Sequence, residues 1–524
     1  MNQILNSIDD LPAISCLLFE ENLTPDEKKH FVFAEGEDGQ VYNFVNTHAP
    51  DLLKRRAQTF RTFNFADRKL VVYQLPPEIL VIFRDLMTSE KQVHMPESEL
   101  DTRFNEILLQ AIRADASDIH FDFYPERTIL KFRIHGMLFK EGELDSRSVN
   151  RLINYIYNVA AQEGSKDTQF NPEEMQHAML DRHLTVNGQR RHFKLRMQTA
   201  ACFPNSITIV MRVLPVDSQV TRTLESLGYS QEQIDLLYRA QMQPSGVTII
   251  AGTTGSGKST TLACMLSDIH KRCTGTKKIL TAEDPPEYTI AGANQINLST
   301  KRYADDPDKN SFAQAIKVAM RCDPDIIMVG EIRDKKSSDL LSSAVLSGHQ
   351  VLTTVHAPSV LAIIERMINL GFERHVISMP KFVSLLMYQT LVPIVCSHCR
   401  IPLEDFFNSH TDRLDKLLET RITALLERLG GPEEKNQIYF ARKEGCRYCR
   451  AGYTERTVIA ELAAPDSQLL DFFRLGDLPG AYRYWRKTGG QTIMEHGVKK
   501  MLTGMVDPRS VENACGFLDK QEEW

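Results

Sequence analysis

The chain has 524 residues, enough for several domains, and its 42% apolar and 25% charged residues are the composition of an ordinary globular protein. A net charge of −6 argues against a generally basic surface for nucleic acid or anionic lipid. The opening MNQILNSIDD lacks the basic start of a secretion signal, and the most apolar long stretch, 377–396, holds Lys381, Gln389 and two prolines. That stretch reads as a buried helix and strand rather than a membrane span, so a cytosolic protein is expected, reaching a membrane only through a partner.

Residues 1–95 mix short apolar runs with acidic loops and carry no motif, and their role stays unassigned. An α+β region is expected over 96–215. Apolar residues at helical spacing predict a helix near 100–113. ASDIHFDF (116–123) and TILKFRIHGML (128–138) read as strands, with Gly136 in a turn. A helix follows over 148–162, then two strands in RRHFKLRMQTA (190–200) and SITIVMRVLP (206–215), separated by Pro204-Asn205. Residues 216–240 read as a polar linker leading into a helix. From 241 onward, apolar runs alternate with helical segments: VTIIA (247–251), KILTA (278–282), IIMVG (326–330) and VLTTV (351–355). Such alternation predicts a parallel sheet covered by helices, an α/β fold whose ligands sit at the C-terminal strand ends.

The first of those ends carries GTTGSGKST, residues 252–260. Gly252, Gly255 and Gly257 let the backbone N–H groups of the loop, with Thr253, Thr254 and Ser256 between them, turn inward on a phosphate. Lys258 reaches the outer phosphates, and the Ser259 hydroxyl, followed by Thr260, suits a Mg²⁺ shell. A strand before the loop and a helix after it complete an anion site. Glu283 and Asp284 stand after KILTA, Glu331 after IIMVG, and His356 after VLTTV. In a parallel sheet all of these share an edge with the loop, where carboxylates can orient water or hold Mg²⁺ for phosphoryl transfer. His349 is seven residues from His356, roughly 23 Å along an extended strand, so it is read as structural or interfacial.

Ten cysteines include two C-x-x-C pairs, Cys396/Cys399 and Cys446/Cys449, whose thiolates suit a tetrahedral, structural Zn²⁺ site. The 46-residue gap between the pairs holds Leu414, Leu417, Leu418, Ile422, Leu425, Leu426 and Leu429, a helical apolar stripe ending at Gly430-Gly431. The pairs can then meet at the base of a helical excursion. The other six cysteines are read as structural.

With these blocks in order, the sequence resembles the type II secretion / type IV pilus assembly ATPases over about residues 100–515. The resemblance rests on ASDIH (116–120), the phosphate loop, EDPPE (283–287), CDPDIIMVGEIRD (322–334), SGHQVLTTVHA (347–357), both C-x-x-C pairs and ERTVIAEL (455–462). It implies a RecA-like P-loop ATPase domain over 241–524, including a tetracysteine zinc module over 391–455. A smaller α+β, PAS-like domain over 96–215 would precede it, joined by the linker 216–240. It further implies an ATP- and Mg²⁺-dependent homohexameric motor acting with an inner-membrane platform protein. Glu283 would help place the attacking water, Glu331 would fill the Walker B position, and His356 would belong to the histidine box. Arg196 and Arg212 of the smaller domain would reach the nucleotide. The zinc module accompanies assembly motors rather than retraction motors in this family.

Three positions depart from the family pattern: His135 stands for aspartate in RIHG, Lys317 for an arginine, and Thr390 follows Gln389 where arginine is usual. They point to a divergent branch serving a specialised pilus. A nucleic-acid motor of RecA-like fold is the rival from another class, opposed by the acidic charge and the lack of an aromatic-basic stripe. A retraction motor is the third possibility.

Overall fold

The computed structural model describes residues 3–519 except 6, 8–9, 13, 19–22, 37–39, 65–69, 91–96, 125, 163–164, 167–168, 204–205, 217–221, 299–311, 411 and 430–436. Pro204-Asn205 and Gly430-Gly431, read from sequence as a strand separator and a helix stop, lie outside the described residues. Contacts divide the chain into Met1–Arg103 and Phe104–Trp524.

The first unit is built on a five-stranded sheet of β1 (Gln3–Ile4), β2 (Ile14–Leu18), β3 (Phe31–Gly36), β4 (Val41–Asn46) and β5 (Leu70–Leu75), in the order β1-β5-β4-β3-β2. Its central strands β3 and β4 are buried at nearly every position because both faces are covered. Leu80 and Phe83 of the helix Pro77–Glu90 pack with Phe44 on one face, and Ala57 of the helix Asp51–Asn64 packs with Phe31 and Phe33 on the other.

The second unit holds two larger sheets. The first contains β6 (Ala116–Phe123), β7 (Arg127–Ile134), β8 (Met137–Asp145), β9 (His177–Val186), β10 (Gln189–Cys202) and β11 (Ser206–Pro215). It is antiparallel throughout, in the order β8-β7-β6-β11-β10-β9. Alternation sets its two faces: in β10, Phe193, Leu195 and Met197 are buried while Arg196 is exposed. Strand β9 is absent from the sequence reading. Its signal is Asn187-Gly188, a two-residue turn with both φ values positive (51° and 78°) that joins β9 to β10. The helix expected over 148–162 is shorter. It runs Ser146–Tyr155, capped by Asp145 accepting from the Ser148 N–H at 2.8 Å, and passes into a π-helical turn over Ile156–Ala160.

The other sheet contains β12 (Gly246–Ala251), β13 (Ile279–Glu283), β14 (Ala293–Asn297), β15 (Ile326–Val329), β16 (Gln350–Val355) and β17 (Val383–Val395). β18 (Ile401–Pro402) and β19 (Tyr439–Phe440) form a separate small ribbon, and β20 (Tyr453–Ala463) returns to the large sheet. The order is β14-β13-β15-β16-β12-β17-β20, parallel except for β20, which pairs antiparallel with β17. The expected parallel sheet is thus a mixed one, closed at one edge by a strand that follows the cysteine segment. Residues 377–396 are the end of the helix Arg374–Ile377 followed by β17, and among the described residues no helix is long and apolar enough to cross a membrane. Within 216–240 the helices Leu224–Leu227 and Gln231–Gln241 are present. The leucine stripe lies on the helix Arg413–Leu429 but is only partly covered: Leu418, Ile422, Leu425 and Leu426 are buried, while Leu414, Leu417 and Leu429 face solvent. Cys202 and Cys322, grouped with the structural cysteines above, are exposed and fill no core position.

Candidate nucleotide site and cysteine cluster

All six residues of β12 are buried, so the strand holds the start of the glycine loop rigidly, and the loop opens directly into the helix Lys258–Arg272. Gly252 is required by space: a Cβ there would lie 2.4 Å from both the Gln389 carbonyl and Ser256 Oγ. Gly257, at φ 82°, forms the left-handed N-cap of the helix. The helix N-terminus and the loop together make an anion cradle. Lys258 Nζ folds over it, donating to the carbonyls of Gly252 and Thr253 at 2.8 and 3.0 Å. Burial holds the Lys258 pKa below its ordinary value, against the opposing pull of Glu331 and Glu287.

The parallel register brings the strand ends together. Ala251 lies beside Val355, Thr353 beside Val329, and Val329 beside Ala282. Glu283, Glu331 and His356 follow these residues onto the edge that carries the loop. Ser259, Glu283, Glu287, Glu331 and Arg333 line one cavity of 120 Å³ there. Glu331 is the hub: Arg333 Nε donates to its Oε2 at 3.0 Å, and His356 Nε2 is 3.6 Å from its Oε1. Glu283 accepts from Thr281 Oγ1 at 2.6 Å and Gln295 Nε2 at 2.9 Å, while burial pushes its pKa up. Arg333 was missed as a site residue, although it stands two residues after Glu331 in the quoted GEIRD. His349 is at the opposite end of β16, with Nδ1 3.0 Å from both the Ala344 carbonyl and Ser347 Oγ.

Arg196 and Arg212 face each other across β10 and β11. Arg212 Nε donates to Asp118 Oδ1 at 3.1 Å, and Asp118 is almost fully buried. Among the described residues, neither arginine is part of the lining of the two cavities beside the loop. The 390 Å³ cavity beside Gly257 and Thr260 is instead lined by Arg191, Arg222 and Arg456, together with His135 and Tyr288. Arg456 stands in the quoted ERTVIAEL block, but no single motif joins the three cations, because they come from β10, the connector and β20.

The four cysteines converge. Cys396 Sγ lies 3.8 Å from Cys446 Sγ, Cys399 Sγ 3.5 Å from Cys449 Sγ, and Cys446 Sγ 3.6 Å from Cys449 Sγ. A tetrahedron with metal–sulfur bonds of about 2.3 Å has sulfur–sulfur edges of about 3.8 Å, so the spacing fits one ion. The Tyr448 N–H donates to Cys446 Sγ at 3.5 Å and draws that thiol's pKa down, while burial pushes those of Cys399 and Cys449 up, so Cys446 is the most readily ionised of the three. The paired backbone of β18 and β19 and the helices between them span the gap between the two C-x-x-C pairs.

A phosphate loop, the strand-end carboxylates and a tetracysteine cluster in one chain accompany a match to the family model "Type II/IV secretion system protein" over residues 96–514. The chain belongs to this secretion ATPase family. It is 30% identical to the "Type II secretion system protein E" of Pseudomonas aeruginosa over 78% of this chain and 74% of that protein. It is 28% identical to the "Type IV pilus assembly ATPase PilB" of the same organism, over 78% of this chain and 66% of that one. Among solved structures, the Legionella pneumophila ATPase DotB shares the fold, with a TM-score of 0.53, 20% identity, and coverage of 79% of this chain and 95% of that chain.

Two of the family departures acquire a structural setting. His135 occupies the β7–β8 turn at φ 49° and lines the cavity beside Gly257, where burial lowers its pKa. Thr390 pairs with Ile459 of β20, and its neighbour Gln389 is fully buried against the phosphate loop.

Proposed function

We propose that this secretion ATPase is a homohexameric motor that hydrolyses ATP with Mg²⁺ to drive pilus assembly or type II secretion, working at the cytoplasmic face of the inner membrane against a platform protein. The observation that carries the reading is the 120 Å³ cavity where Ser259, Glu283, Glu331 and Arg333 meet beside Lys258. When bound, MgATP supplies a phosphoanhydride open to attack by water. Lys258 and the loop N–H groups of Gly252–Thr260 hold the phosphates, and the Ser259 hydroxyl joins the Mg²⁺ shell. Glu331, oriented by Arg333, and Glu283, oriented by Thr281 and Gln295, position water and balance charge, with His356 beside Glu331. Arg196 and Arg212 add positive charge when the smaller domain closes over the site, which ties turnover to a domain motion. Zn²⁺ on Cys396, Cys399, Cys446 and Cys449 is structural, since four thiolates leave no open position. The cluster favours an assembly role over retraction.

The test is MgATP turnover by the purified protein, alone, with DNA, and with membranes containing the candidate platform protein. Stimulation by the membranes and indifference to DNA support the reading. Stimulation by DNA alone would replace it with a nucleic-acid motor.

A further inference from the structure

The β9–β10 hairpin gathers a second set of metal-ligating side chains. Its two-residue Asn187-Gly188 turn sets Val186 opposite Gln189, and every later pair follows from that register. His183 is therefore directly opposite His192, and Asp181 precedes His183 by two residues on the same outward face. One ligand atom from each of Asp181, His183 and His192 lies within 4.8 Å of the other two. The two imidazoles are nearly parallel, with centroids 4.3 Å apart, and His192 Nε2 contacts Asp181 Oδ1. The second carboxylate oxygen of Asp181 accepts from Gln162 Nε2 at 3.2 Å. That bond orients the carboxylate without using the oxygen turned to the histidines, the arrangement by which outer groups hold metal ligands.

We propose that Asp181, His183 and His192 bind a first-row divalent cation, Zn²⁺ by chemical preference. Two neutral imidazoles and a carboxylate are a borderline donor set matching zinc, and small side-chain rotations bring donors this close onto a tetrahedron. The two rings stack on each other and His192 reaches the Asp181 carboxylate, so one cation placed among them takes a donor atom from all three groups. His183 is exposed, so the fourth position is open to water or to a ligand from another molecule. Two cations flank this set on the same face, Lys194 opposite Asp181 and Arg190 two residues from His192, and Lys194 is the nearer competitor for the carboxylate. The next outward pair along the hairpin is Met179 with Arg196, so an ion here adds positive charge to the sheet face that carries Arg196 and Arg212. The site is independent of the cysteine cluster and of the motor function.

Equilibrium dialysis of the full-length protein against micromolar Zn²⁺, followed by metal analysis, tests it. Wild type should hold about two ions per chain, and His183→Ala and Cys446→Ser about one each, because each substitution removes one site. His183 is exposed, so His183→Ala keeps the fold, checked by circular dichroism, and Asp181→Asn gives a second, smaller perturbation. Co²⁺ in place of Zn²⁺ should show thiolate charge-transfer absorption that Cys446→Ser removes and His183→Ala leaves intact. Equal metal content in wild type and His183→Ala, at one ion or at two, overturns the proposal.

Discussion

Gln389 of β17 donates from Nε2 to the carbonyl of Ser256 at 2.7 Å, fastening the phosphate loop to a neighbouring strand. Its Oε1 accepts from the Tyr229 hydroxyl at 2.7 Å, and Tyr229 lies 2.9 Å from Thr261 Oγ1 on the helix that follows the loop. One buried amide thus links the loop to the segment that enters the ATPase sheet. Gln389→Leu leaves a buried carbonyl and a buried hydroxyl short of partners, at about 1–3 kcal/mol. The expected result is a lower thermal midpoint and weaker nucleotide binding, read by differential scanning fluorimetry with and without MgADP. An unchanged midpoint together with unchanged affinity would remove Gln389 from the site.

Lys258→Ala should abolish nucleotide binding, because the cradle loses its charge against the phosphates. Glu331→Gln should bind normally and lose turnover, since the amide keeps the shape but not the charge. Fluorescent-nucleotide titration and phosphate release on the two purified variants check the pair. Normal turnover by Glu331→Gln would overturn its assignment.

Arg196→Ala and Arg212→Ala should bind ATP within several-fold of wild type and turn it over at least ~10²-fold slower, the scale of a lost arginine contact to transition-state charge. Arg212→Ala also removes the guanidinium from nearly buried Asp118 and leaves it the Ser117 hydroxyl, so it alone of the two should lower stability. Single-turnover rates separate catalysis from binding. Undiminished rates in both variants would leave these side chains as a solvated strand face and end the proposed coupling to domain closure.

The cysteine cluster should hold about one Zn²⁺ against mild dialysis. A strong chelator or Cys446→Ser should release it and expose the 390–455 region to limited proteolysis, while the rest of the chain stays resistant. Protein purified without chelator that carries no metal on these four thiols would refute the module.

His496 is buried and neutral by design: its Nδ1 accepts from the Ala460 N–H at 3.1 Å and lies 3.2 Å from Gln233 Nε2. Burial pushes its pKa down to about 4 from the ordinary 6.5. Below pH 6.5 the unfolded chain takes up this proton before the folded one does, so the stabilisation is present above pH 6.5 and lost as pH falls through about 4. The full loss is about 3 kcal/mol. Denaturant midpoints across this range should fall less steeply in His496→Leu, which starts less stable at neutral pH because the Ala460 N–H loses its acceptor. Parallel slopes in the two proteins would contradict the assignment.

The phosphate loop, the carboxylates Glu283 and Glu331, and His356 were legible in the sequence for a physical reason. A glycine loop between a buried strand and a helix is a local structure, and the polar residue that follows each short apolar run marks the C-terminal end of a buried strand. The convergence of the two C-x-x-C pairs was also readable, because thiols at that spacing have few other uses in a chain of this composition. The tertiary structure decided what depends on pairing between distant segments. Strand β20 runs antiparallel to β17 across the cysteine insertion, β9 closes an edge through a turn whose signal is two residues long, and Gln389 meets Ser256 across 133 positions of sequence. The cations beside Gly257 come from three separate elements, Arg191, Arg222 and Arg456. Each such contact is fixed by which buried faces fit together, and local spacing carries no record of that choice.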